Sequence, residues 1–280
     1  MLNSNIQDRV IRGLMWLSGL LVVAILFIII AYISLKGISA INLDFIFDLP
    51  HRAGKEGGIF STIISTIYLT LASLIIAVPL GVGSAIHLEE YARRDSFFAR
   101  LVNLAAETLA GIPSIVFGLF GFVFFVIYLN LGWSVLSGSL TMAIMILPTI
   151  TRTSQEAILS VPAEYRENSL ALGASKWQTI SKVVLPSALP GIITGVILSI
   201  GRAIGETAAL ILTAGSSLGM PAGLLDPART MSVHLYILAM EGISMERAFG
   251  TAFLIIVLIV IINYLANLSL RRMSPAGRLQ

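Results

Sequence analysis

Long apolar runs, rather than alternation or a narrow 3.6-residue stripe, dominate the pattern along this chain. Six of them approach or exceed the roughly 20 residues that a helix needs to cross a hydrocarbon core: 14–35, 62–86, 107–131, 133–151, 188–214 and 250–270. The first is longer than the roughly 7–15 apolar residues of a cleavable signal, so it is expected to be retained. Gly111-Ile112-Pro113-Ser114 falls near the start of the third run, and the fourth is expected to end around Pro148. Arg271 and Arg272 stop the sixth. A stretch at 230–240 is apolar but too short to cross, and it follows the Gly/Pro-rich segment 219–227. It reads as re-entrant or interfacial. No inverted internal repeat of the kind common in secondary transporters is visible.

Polar positions set the orientation. Of the 18 Lys and Arg residues, Lys36, Arg52, Lys55, Arg229 and Arg247 fall on the odd side and Arg202 lies inside a run. The rest, including Arg9, Arg12, Arg93, Arg94, Arg100, Arg166, Lys176, Lys182 and Arg278, fall on the even side with both termini. An excess of Lys and Arg marks the cytoplasmic side, so both termini are expected there, in a multi-pass protein of the cytoplasmic (inner) membrane.

Composition agrees: 56% of residues are hydrophobic and only 12% charged, with a mean hydropathy of +0.92. Too little polar surface remains to cover a soluble protein. With no cysteine, there is no disulfide, thiolate metal site or cysteine nucleophile. His51, His87 and His234 share no metal-ligand spacing, and no paired carboxylates suggest catalysis. Gly54-Lys55 is followed by Glu56, so no phosphate-cradling Walker A loop exists. Gly81-Val82-Gly83 lacks the third glycine of a dinucleotide site. The basic residues flank apolar runs, which argues for membrane topology and not for nucleic acid.

The connection 152–187 is the most informative polar stretch. Residues 162–172 have helical composition, with Gly173 placed as a stop. Ser175 and Gln178 fit a capping box opening a second short helix, with Trp177, Ile180 and Val184 on one face. Pro186 is expected to end it and Pro190 to open the next span. Such a pair either lies flat on the membrane surface or forms a compact cytoplasmic knob.

Arg202 and Glu206 sit inside the fifth run. A charged residue at a helix centre costs about 2.5–3.5 kcal/mol on insertion scales, so both should face protein or water. At 100° per residue, Gly191, Gly195, Ser199, Arg202, Glu206, Ala209 and Thr213 share one face. Ile193, Ile197, Ile200, Ile204 and Ile211 share the other, which suits lipid. Either the two charges form an internal i,i+4 pair that locks packing, or Arg202 lowers the barrier for an anion while Glu206 holds its guanidinium. Arg152 is a second cation candidate, although its position alone also fits an ordinary cytoplasmic-side residue.

Glu167-x5-Gly173-x9-Val183-x-Leu185-Pro186 resembles the EAA signature of ABC-importer permeases, with Asn168-Ser169 in place of two alanines and Val183 in place of isoleucine. Gly201-Arg-Ala-Ile-Gly-Glu-Thr-Ala208 is similar to the segment that marks permeases of phosphate importers. So are Glu56-Gly-Gly-Ile59, Gly111-Ile-Pro-Ser114 with Gly118-Leu-Phe-Gly121, and Arg152-Thr-Ser-Gln-Glu-Ala157. Overall the chain resembles the A-type subunit of those importers. The resemblance implies an all-α integral membrane fold, six transmembrane helices in the ABC type I importer permease (MetI-like) architecture. Its parts would be a segment 1–55 with the first helix and an extracytoplasmic loop, a permease core 56–270 containing the coupling loop 152–187, and a tail 271–280. It also implies that Glu167, Gly173, Trp177, Leu185 and Pro186 dock an ATPase, and that Arg152, Arg202 and Glu206 serve anion transfer. The implied partners are a homologous C-type permease in a heterodimer, an ATPase dimer and an extracytoplasmic phosphate-binding protein, besides membrane lipid. ATP and Mg would sit on the ATPase, with no cofactor, metal or catalytic residue in this chain. Permeases for molybdate or sulfate are the alternative within the class, and an ion-coupled symporter is the alternative outside it.

Overall fold

The computed structural model describes residues 4–93 and 96–273. Arg94, Arg278 and the tail beyond residue 273 lie outside the described residues. Apolar runs fold as helices here because a hydrocarbon core offers backbone groups no water, and a helix satisfies them internally. In chain order the elements are α1 (Ser4–Gly37), α2 (Leu43–Phe47), a two-stranded hairpin of β1 (Pro50–His51) and β2 (Glu56–Gly57), α3 (Phe60–Ile86), α4 (Phe97–Gly111), α5 (Ser114–Gly121) and α6 (Val135–Leu159). They continue with α7 (Ala163–Ala171), α8 (Lys176–Thr179), α9 (Leu185–Gly205), α10 (Ala208–Thr213), α11 (Met231–Met240) and α12 (Met245–Met273). Turns of π-helix extend α3 through Tyr91 and α5 through Tyr128, and Ile180–Val184 fuses α8 to α9.

Among the described residues, five helices are long and apolar enough to cross a membrane, and a sixth crossing results if α4 and α5 count as one bent span. The centre of the bundle is α6, against which α3 runs parallel and α9 antiparallel. Gly81 of α3 lies so close to α6 that a β-carbon there would sit 2.7 Å from Ile150 Cγ2. Gly195 of α9 meets Thr153 of α6 in the same way, and Gly191 meets Ala157. Small residues thus let the helices approach closely in a setting where packing, not hydrophobic expulsion, drives association. Leu69, Met142, Met145, Ile146, Ile150, Leu210 and Val233 fill the core between them. Three buried hydroxyls of α3 are satisfied locally, with Thr62, Thr66 and Ser73 donating to carbonyls three or four residues back. Ser61 donates to the Leu218 carbonyl, and Ser65 Oγ has no partner among the described residues.

Several boundaries differ from the sequence expectations. Pro148 does not close the fourth span; α6 runs through it to Leu159, so Arg152 is a helix residue and not part of a loop. Pro186 and Pro190 likewise lie within a continuous helical segment, Lys176–Gly205. Bundle packing tolerates the lost N–H at each proline because neighbouring helices still shield the backbone. The third span starts earlier than residue 107 and is broken: α4 and α5 meet at 105° across Ile112-Pro113. The fifth is broken after Gly205. Its isoleucine face is not wholly lipid-facing either, since Ile204 is buried and Ile200 packs beside it, in a cluster with Met231 and Ile255. The apolar segment 230–240 forms α11, a ten-residue helix with His234 and Leu238 fully enclosed.

Candidate functional site

At one end of the bundle, α7 and α8 form a knob. α7 ends where Gly173 adopts φ +85°, a left-handed value that glycine takes at no steric cost. Ser175 then opens α8 with the expected box: its hydroxyl accepts from Gln178 N–H at 3.3 Å, and Gln178 accepts from Ser175 N–H at 2.8 Å. Glu167 is exposed on α7. Trp177 is 60% exposed and Leu172 89%, so the knob presents apolar side chains to whatever lies beyond the chain. Ile180 and Val184 face inward and are buried, whereas Leu185 is half-buried and Pro186 exposed.

Arg166, whose role the sequence did not suggest, ties the knob down. Its Nε donates to Glu90 Oε1 at 2.9 Å, Nη1 to the Val161 carbonyl at 2.8 Å and Nη2 to the Ile158 carbonyl at 2.8 Å. The Ile158 carbonyl belongs to the last turn of α6 and that of Val161 lies just beyond it, where the C-terminal end of the helix dipole favours a cation. Glu90 comes from the π turn that ends α3. One guanidinium therefore joins three elements.

The break in the fifth span changes the chemistry of its charged pair. Glu206 is extended (φ −72°, ψ 129°), and its Oε1 accepts from Ala209 N–H at 3.0 Å, capping α10. It does not pair with Arg202, because an i,i+4 contact needs both residues in one helix. The internal ion pair and the idea that Glu206 holds the guanidinium are both set aside by this geometry. Ser232 of α11 donates to the Ile204 carbonyl, which the break leaves free. Among the described residues, no hydrogen bond or ion pair reaches the half-buried Arg202.

Arg152 does have a partner. Its Nη2 forms an ion pair with Glu107 Oε1 on α4. One turn along the same seam, Gln155 Nε2 donates to Asn103 Oδ1 at 3.2 Å and to Glu89 Oε1 at 2.9 Å. The sequence placed Glu107 as the first residue of a span and left Glu89 and Asn103 unassigned. The available signal was the spacing Arg100, Asn103, Glu107, a polar face at helical period. The contacts of Gly195 with Thr153 and Gly191 with Ala157 put Arg202 level with residue 146 or so. The two arginines are thus about six residues, or roughly 9 Å, apart along the axis. A guanidinium offers a planar fork of donors that matches the oxygens of an oxyanion.

No cluster of His, Asp and Glu suited to a metal ion occurs among the described residues. His234, outside the long spans, is enclosed against Gly54 and bonded through Nδ1 to Arg229 Nη1 at 3.5 Å. Burial first, then the charges of Arg229 and Arg247, hold its imidazole below the usual range.

A family model described as binding-protein-dependent transport system inner membrane component matches residues 77–276. The chain belongs to that family. It is a membrane-spanning permease subunit of an ABC importer, which decides against the ion-coupled symporter. Among its relatives, a probable ABC transporter permease protein, YqgI of Bacillus subtilis, is 32% identical over 95% of this chain and 96% of its own length. The phosphate transport system permease protein PstA of Mycobacterium leprae is 35% identical over 74% of this chain and 68% of its own. The fold recurs in a bacterial alginate ABC transporter (TM-score 0.67, 18% identity, 96% and 98% of the two chains). It recurs also in the MetNI methionine ABC transporter (TM-score 0.63, 19% identity, 78% and 94%), so the importer permease has the MetI-like architecture.

Proposed function

We propose that this importer permease carries inorganic phosphate across the cytoplasmic membrane, with both chain termini in the cytoplasm. The observation that carries the proposal is Arg202, a half-buried guanidinium in a membrane helix with no partner among the described residues. An unpaired cation in so apolar a setting is costly, and an anion in transit or a group from a second subunit offsets that cost. Similarity to several PstA permeases supports phosphate as the anion. The name YqgI carries no substrate, and molybdate or sulfate would satisfy the same donors.

Arg202 and Arg152 act in series as stations for the anion, while Glu206 shapes the break by capping α10. The knob of Glu167, Gly173, Trp177, Leu185 and Pro186 seats on an ATPase dimer, which holds ATP and Mg. A C-type permease completes the pore, and a phosphate-binding protein docks at the opposite end, over the hairpin and the segment 214–230. Closure of the ATPases moves the knob, and the α6 and α9 ends attached to it reorient the core.

The test is ATP hydrolysis by the complex purified through this chain and reconstituted with its binding protein loaded with phosphate, sulfate or molybdate. Stimulation by phosphate, abolished by Arg202→Ala in a complex that still assembles, is the expected result. Stimulation by another oxyanion alone discards phosphate, and unchanged stimulation in Arg202→Ala discards the anion role.

A further inference from the structure

We infer that Glu107 is a resident counter-ion that competes with the transported anion for Arg152, and so sets how easily the anion leaves the path at the knob end. The inference rests on the reading of Arg152 as a pathway residue. Arg152 stands seven residues before the end of α6 at Leu159, about 10 Å of helix rise from the knob. It is therefore the station nearer that end. The two cations differ in one respect that the structure makes plain. Among the described residues Arg202 has no carboxylate partner, because Glu206 is turned to α10, while Arg152 is engaged by Glu107 from another helix.

Exposure decides what kind of pair this is. The Arg152 side chain is 38% exposed and that of Glu107 64%, so both charges face outward from this chain and an anion can reach them. A pair that open shifts an equilibrium by no more than about fivefold. It is weak enough for an incoming oxyanion to displace, and strong enough to bias release. A purely structural bridge is also unnecessary at this place. Gln155, bonded to both Asn103 and Glu89, already ties α4 and α3 to α6 one turn away. That seam fixes where the Glu107 carboxylate stands relative to Arg152. An anion seated on Arg152 faces a nearby negative charge, which shortens its stay, and after it leaves the carboxylate resumes its place on the guanidinium.

The experiment uses the full reconstituted complex in liposomes, with loaded binding protein on the outside and graded inorganic phosphate inside at constant ionic strength. The quantity read is the internal phosphate that halves import. Glu107→Gln removes the charge at nearly constant shape, and should lower that concentration two- to fivefold. Glu107→Asp should restore most of the wild-type value, and in an Arg152→Gln background Glu107→Gln should cause no further shift. If Glu107→Gln fails to assemble, Glu107→Ala carries the same expectation. The inference is overturned if the half-inhibiting concentration is unchanged in an assembled, active variant, or if it shifts equally without Arg152. If Arg152→Gln alone alters neither import nor inhibition, the pathway reading of Arg152 has failed and the inference falls with it. If the wild-type complex carries another oxyanion, only the choice of phosphate has failed, and the same shift is expected with that ion.

Discussion

Removing Arg166 should uncouple the knob from the bundle. The side chain donates to two carbonyls at the end of α6 and pairs with Glu90 at the end of α3. Hydrogen bonds involving a charged group contribute about 1.5–3 kcal/mol each, and the three are not additive. Arg166 is 23% exposed and Glu90 only 10%, so screening discounts the total while Glu90 loses its partner in a poorly solvated place. An overall cost of about 3–4 kcal/mol for Arg166→Ala follows from these terms. Since each 1.4 kcal/mol is about tenfold in an equilibrium, the docked arrangement of α7 should lose more than a hundredfold in weight. Arg166→Lys should recover little, because the three donors of an ammonium sit on one compact nitrogen and cannot span the separated acceptors that the planar guanidinium reaches. Glu90→Gln keeps an acceptor oxygen and should cost about 1 kcal/mol. The assay is import and stimulated ATP hydrolysis in proteoliposomes, read as a double-mutant cycle between positions 166 and 90. Arg166→Ala should lower import at least tenfold, and the cycle should show a coupling of about 1–3 kcal/mol. Import within twofold of wild type in Arg166→Ala would refute the reasoning.

Three further outcomes follow from the geometry. Glu206→Gln should leave stability and import near wild type, because an amide oxygen still caps Ala209 and no ion pair with Arg202 is lost; Glu206→Ala should cost about 1 kcal/mol, as for other N-terminal caps, in thermal denaturation. Gly195→Ala should lower the melting temperature of the detergent-solubilised complex by pushing α9 off α6, since its β-carbon would lie 2.6 Å from Thr153 Cβ and overpacking costs about 1–3 kcal/mol. His234 is held neutral by burial and by Arg229 and Arg247, so the unfolded chain binds the proton more readily than the folded one. Stability is then level above about pH 6.5 and falls as pH drops below it, an acid sensitivity that melting curves should show reduced in His234→Asn.

Much of the knob was legible in one dimension because its signals are local. The glycine stop, the Ser175–Gln178 box and the apolar face of Trp177, Ile180 and Val184 each depend on residues within a turn or two of one another, although only Ile180 and Val184 of that face are buried. The seam around Arg152 was not legible in the same way. Its members lie 45 and more residues apart, and only the bend at Ile112-Pro113 and the approach of α4 to α6 bring them together. Helix periodicity misled at Glu206, where projection on one continuous helix put it beside Arg202. Chain continuity is a local assumption, and at the break Ser232 of α11 donates to the carbonyl of Ile204 that the helix leaves free.

The sequence by itself determined that this chain crosses a membrane, that its second and fourth spans begin within a turn of Phe60 and Val135, and that its charges are too few and too placed to be incidental. Those properties follow from transfer energies and capping, which each short segment carries alone. Which cation has a partner and which stands open was decided only by tertiary structure. An ion pair is a matter of a few ångströms between helices, and those distances are set by small residues such as Gly191 and Gly195 at the contacts, not by the charged residues themselves.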